Sequence, residues 1–112
     1  MKQTITFDFD STLSRQDVQD YAFSLIKKGF DVWVLTSRYD ELHKHRYRHN
    51  PTNEDLYHVT DKLEIPRWKI KFTCMRDKAE YLFGSNVLWH FRLIFGNINT
   101  KTLFLQRFLI NP

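Results

Sequence analysis

Apolar residues along this chain recur with two different periods. Thr4 to Phe9 alternates polar and apolar positions and is rich in β-prone residues, which predicts a first strand. From Gln16 to Lys28 the period changes, with Val18, Tyr21, Ala22, Leu25 and Ile26 at helical spacing. Ser14 fits the N-cap of that helix, Asp17 favours its amide end, and Gly29 fits its C-terminal stop. Asp31 to Leu35 reads as a second, apolar strand. Tyr39 to Asn50 is polar and basic and reads as a loop or an irregular helix, closed by the break Pro51-Thr52-Asn53. Thr52 or Asn53 is placed to cap a helix reaching about Leu63, with Leu56, Val59 and Leu63 inward. Trp68 to Thr73 predicts a third strand, Asp77 to Phe83 a short helix, Asn86 to Phe91 a fourth strand, and Thr102 to Gln106 a fifth.

Strands separated by helix-length segments predict a central parallel sheet of about five strands in a three-layer, Rossmann-like α/β domain. In such folds ligands bind outside the carboxyl ends of the strands. Asp8, Asp10, Thr36 and Arg38 all fall at such ends.

Composition narrows the picture. The 112 residues suit one domain, and 42% hydrophobic and 16% aromatic content is ample for a packed core. No apolar run approaches the roughly 20 residues that span a bilayer, so no membrane partner is expected. The start of the chain enters a strand without a secretory apolar region. Lone Cys74 has no partner for an internal disulfide, which suits a reducing, cytoplasmic setting. It reads as a buried or half-buried thiol rather than a nucleophile. The net charge of +4 is compatible with anionic substrates or nucleic acid. Its distribution says more: no Asp or Glu follows Glu80, and from Tyr81 onward the only formal charges are Arg92, Lys101 and Arg107.

The chemistry concentrates in Ile5-Thr6-Phe7-Asp8-Phe9-Asp10-Ser11-Thr12-Leu13. Alternation sends Asp8 and Asp10 to the same side of a strand. Two carboxylates that close repel unless a cation or a proton sits between them. Thr12 is placed to brace the following turn through a hydroxyl–backbone bond.

With Val34-Leu35-Thr36-Ser37-Arg38 and Asp77-Lys78-Ala79, the order becomes strand-Asp-x-Asp-x-Thr, strand-Thr-Ser, then a lysine opening a later helix. This resembles the haloacid dehalogenase superfamily, mostly phosphatases, over roughly residues 3 to 91. The resemblance implies a Mg²⁺-dependent phosphomonoester hydrolase. Asp8 would be the nucleophile, forming an aspartyl-phosphate. Asp10 would be general acid and then base. Asp8 and the Asp10 carbonyl would hold Mg²⁺. Thr36 or Ser37, with Lys78, would bind the phosphoryl oxygens, with Arg38 well placed beside them.

One part of that pattern is missing. The resemblance puts acids after the fourth strand, at positions that here hold Arg92 and Leu93. A reduced metal shell is one reading, and a carboxyl-terminal part altered after about residue 92, leaving a phosphate-binding protein without turnover, is another. The connections leave no room for the large cap that members of this superfamily often carry, and the resemblance then implies a macromolecular substrate, such as nucleic-acid ends, or cover from a neighbouring subunit in an oligomer. The basic segment Arg38 to His49 interleaves cations with Tyr39 and Tyr47, so a nucleic-acid-binding module is a further alternative to a solvated loop. His43 and His45 suggest zinc only weakly, since no cysteine is near them in sequence. Trp33, Trp68 and Trp89 read as packing residues.

Overall fold

The structure, a computed structural model, describes residues 3–46, 52–82, 86–93 and 103–107. Its elements are β1 (Thr4–Phe7), α1 (Gln16–Lys27), β2 (Asp31–Thr36), α2 (Glu54–Lys62), β3 (Ile70–Phe72), α3 (Ala79–Leu82), β4 (Val87–Leu93) and β5 (Leu103–Arg107). The sheet order is β3-β2-β1-β4-β5. Four strands are parallel, and β5 runs antiparallel to β4, with Phe91 opposite Leu105. The parallel sheet therefore holds four strands and not the five expected. Among the described residues, no helix is long and apolar enough to cross a membrane.

The direction of each crossover decides which face it covers. From β1 to β2 to β3 the chain moves one way across the sheet, so α1 and α2 share a face. Their Val18, Ala22, Leu25, Leu56, Val59 and Leu63 join Ile5, Phe7, Val34 and Phe91 in the main core. From β3 the chain returns past β2 and β1 to β4, and α3 lies on the opposite face, where Leu82 packs with Leu35 and Val87. The strand order thus reverses between β1 and β4, a topological switch point. An aromatic cluster underlies it: Phe7 and Phe91 have ring centroids 4.8 Å apart, and Tyr21 from α1 stands 5.4 Å from Phe91.

Local chemistry explains most boundaries and corrects several. Gly29 (φ 97°) ends α1, its amide donating to Ile26 O while Phe30 N–H reaches Leu25 O, as in a Schellman stop. Ser14 does not cap α1; Arg15 holds that position, and Asp17 Oδ1 accepts from Val18 N–H at 2.9 Å. Before α2, Thr52 Oγ1 accepts from Glu54 N–H, while buried Asn53 donates to Tyr39 O and Glu41 Oε2. β1 stops at Phe7 rather than Phe9, because Ser11 at φ 60° bends the chain into a tight turn over Phe9–Leu13. The third strand begins at Ile70, since Arg67–Lys69 form a short 3-10 turn that leaves Trp68 68% exposed, its ring edge-on to Trp33 at the surface rather than in the core. The expected continuation toward Phe95, and Tyr47 to Pro51, lie outside the described residues.

Fully buried Phe91 joins the switch-point strands to α1, so its truncation opens a large cavity. Phe91→Ala is expected to lower unfolding free energy by about 3–5 kcal/mol in urea denaturation. A loss under about 1 kcal/mol would contradict this packing.

Candidate active site at the switch point

Asp8 follows β1 directly, and its N–H donates to Phe91 O at 3.0 Å, so the β1–β4 ladder fixes its backbone. Strand alternation puts Thr6 and Asp8 on one face. The register pairs Thr6 with His90, which brings the His90 ring to that same face. A chain of contacts results: Thr6 Oγ1 lies 2.7 Å from His90 Nδ1, and His90 Nε2 lies 2.9 Å from Asp8 Oδ1. An ionised carboxylate only accepts, so His90 Nε2 carries the proton in this bond. Lys78, just before α3, places Nζ 2.5 Å from the same Oδ1. Two donors from two other elements therefore converge on one carboxylate oxygen.

These contacts set the charge of Asp8. Burial raises its pKa, but the hydrogen bonds and charges of His90 and Lys78 outweigh burial and hold it below the ordinary carboxylate value. Its side chain is 15% exposed, so a ligand can still reach it.

Asp10 takes a different partner. The turn after β1 carries it toward β2, where Arg38 Nε and Nη2 donate to its two oxygens at 3.1 and 2.7 Å. The same guanidinium donates from Nη1 and Nη2 to Asp55 of α2 at 2.7 and 2.9 Å. Arg38 is 9% exposed, whereas Asp10 and Asp55 are 57% and 58% exposed. The guanidinium also stands 4.9 Å over the Phe9 ring. Hydrogen bonding to Asp55 raises the Arg38 pKa, burial opposes it, and Asp10 adds to the rise, so Arg38 stays cationic. Each of the two aspartates thus meets its own set of donors, Asp8 those of Lys78 and His90 and Asp10 those of Arg38.

The remaining expected residues lie nearby in other roles. Thr36 is 1% exposed and its Oγ1 accepts from Arg38 N–H at 3.3 Å, so it braces the strand end rather than lining an open site. Ser37 is half-buried and its carbonyl accepts from Met75 N–H. Thr12 is buried in the turn, where its carbonyl accepts from Arg15 N–H. In the basic segment, His43 contacts Asp40 and Lys44 pairs with Glu41. A cavity of about 310 Å³, lined by residues that include Thr4, Thr6, Trp33, Leu35, Leu82 and Val87 but not Asp8, opens on the same sheet face.

His90 and Asp55 were not expected as site residues. His90 becomes readable once β1 is paired with β4, and the acid in Asp55 has no local signal linking it to Arg38.

Mg²⁺ takes oxygen donors in a near-octahedral array. Here Asp8 Oδ1 accepts from Lys78 and His90, both Asp10 oxygens accept from Arg38, and Arg92 follows Phe91 on β4. Among the described residues, this donor set does not fit a Mg²⁺ ion held by side chains. No family model, no curated protein and no solved structure matches this chain.

The lowered Asp8 pKa links stability to pH. Its ionised form is favoured by folding, so the stabilisation is complete above the ordinary value of 3.8 and is lost as pH falls through the lower folded value. Wild-type stability is expected to fall more steeply than that of Asp8→Asn below about pH 4 in urea denaturation. Parallel profiles for the two proteins would contradict the assignment.

Proposed function

We propose that this chain is a phosphomonoester hydrolase of the haloacid dehalogenase kind, with Asp8 as the nucleophile. The observation that carries the reading is the convergence of Lys78 and His90 on an ionised Asp8 at the switch point. A carboxylate attacking a phosphate faces charge repulsion, and donors held against it reduce that repulsion. Lys78 and His90 supply donors against Asp8 from the protein itself.

In the first half-reaction an Asp8 oxygen bonds to phosphorus, the bond to the ester oxygen breaks, and Asp10 protonates the leaving alcohol. In the second, water attacks the aspartyl-phosphate, its proton passes to Asp10, and inorganic phosphate leaves with Asp8 regenerated. Both Asp10 oxygens accept from Arg38 at rest. Protonating Asp10 therefore releases one of those bonds, and Asp55 retains the guanidinium meanwhile. Asp55 and Arg38 are positioning residues in this scheme. The exposure of Asp10, 57%, suits a phosphate carried on a nucleotide or a nucleic-acid end.

One observation favours a second reading, phosphate binding without turnover. Arg92 and Leu93 stand where an active relative of this kind would carry acids. Hydrolysis of an aryl phosphate, with and without a chelator, separates the two. The proposal predicts turnover that survives chelation, vanishes in Asp8→Asn, and falls about 10²–10⁴-fold in Asp10→Asn. Turnover that stops on chelation would return Mg²⁺ to the site. A folded protein that binds inorganic phosphate through Lys78 yet hydrolyses nothing would establish the second reading.

A further inference from the structure

The loop after β2 carries Asp40 and His43, three residues apart, and the loop after β3 brings Cys74 to them from far along the sequence. One ligand atom from each lies within 4.8 Å of the others. His43 Nδ1 is 2.7 Å from Asp40 Oδ1, and His43 N–H also donates to that oxygen at 3.0 Å. We propose that Asp40, His43 and Cys74 form a binding site for a divalent cation of the zinc class, separate from the carboxylates at Asp8 and Asp10.

The donor chemistry selects this class. Thiolate, imidazole and carboxylate suit a borderline-soft transition cation, whereas Mg²⁺ and Ca²⁺ prefer oxygen alone. A thiolate and a carboxylate together carry two negative charges, which a divalent cation neutralises. Tetrahedral coordination places ligand atoms about 3.3–3.7 Å apart. The His43–Asp40 hydrogen bond would open slightly, and the sulfur would close in. The cation then replaces the protons on the thiol and between His43 and Asp40, as metal binding commonly does.

The backbone presents Cys74 to this cluster in an unusual way. Cys74 (φ 54°) and Met75 (φ 67°) are successive non-glycine residues in the left-handed region. Such a conformation persists only where its surroundings enforce it. Here three bonds extend the β2–β3 pairing to do so: Thr73 N–H to Thr36 O at 2.8 Å, Cys74 N–H to Arg38 O at 3.1 Å, and Met75 N–H to Ser37 O at 2.7 Å. Thr73 Oγ1 donates to Arg76 O at 3.0 Å and closes the turn. The Cys74 thiol is half-buried, and the side chains of Asp40 and His43 are 38% and 40% exposed. A cation can therefore enter, and water can fill a fourth position. Three protein ligands and one open position is the arrangement of exchangeable zinc sites. Bound there, the cation would cross-link the two loops that flank Arg38.

Cobalt(II) is the probe, because a thiolate ligand gives a sulfur-to-cobalt charge-transfer band in the near ultraviolet. The full chain is expected to bind one Co²⁺ with that band, to lose it on stoichiometric addition of Zn²⁺, and to show a raised unfolding midpoint with Zn²⁺. Cys74→Ser should abolish the band, and His43→Gln should weaken Co²⁺ binding by at least about tenfold. His45→Gln should leave both unchanged. Circular dichroism of the metal-free variants checks that each folds. The site is overturned if wild type shows no charge-transfer band, if Cys74→Ser binds Co²⁺ as wild type does, or if His45→Gln abolishes binding. None of these readouts depends on turnover at Asp8.

Discussion

The structure depends on keeping a carboxylate charged at the edge of a hydrophobic core. Asp8 follows Phe7 at the end of β1, where burial works against ionisation. Lys78 and His90 reverse that balance, and each comes from a different part of the topology. Lys78 reaches Asp8 because the chain crosses back over the sheet before α3. His90 reaches it because β4 pairs in parallel with β1 in the register that sets it beside Thr6. The reversal of strand order is thus what assembles the site, and the aromatic cluster on the other face of the sheet holds β1 and β4 together.

Arg38 organises the neighbouring half. A buried guanidinium needs its charge matched and its fork satisfied, since leaving it unpaired is costly. Asp10 and Asp55 do both, one from each side, and Phe9 lies against the planar face. The turn after β1 is thereby tied to α2. The same strand end also anchors the β3 loop, through Arg38 O and Ser37 O, and so places Cys74 next to His43.

Much of this was legible in the sequence, for physical reasons that also explain the failures. Strand and helix periods located β1, α1, β2, α2 and β4, because half-buried elements must repeat their apolar positions. The Asp-x-Asp pair stood out because paired carboxylates at a strand end are costly without partners. The direction of β5 was misread, since alternation does not distinguish a parallel from an antiparallel edge. Ser14 was misplaced as a cap, because the turn over Phe9–Leu13 shifts the start of α1 onto Arg15. Trp68 was taken for a packing residue in a strand; the turn before β3 leaves it largely exposed, and it packs edge-on against Trp33. The partners of Arg38 and the meeting of His43 with Cys74 are long-range contacts, and local pattern holds no record of them.

The central claim is that Asp8 takes up the phosphoryl group. The most direct measurement is to incubate the protein with an aryl phosphate, quench in acid, and locate any phosphoryl adduct by peptide mass spectrometry. The account predicts an adduct on the peptide containing Asp8, carried by Asp8 itself and absent from Asp8→Asn. An adduct on another residue, or turnover that persists in Asp8→Asn, would contradict it.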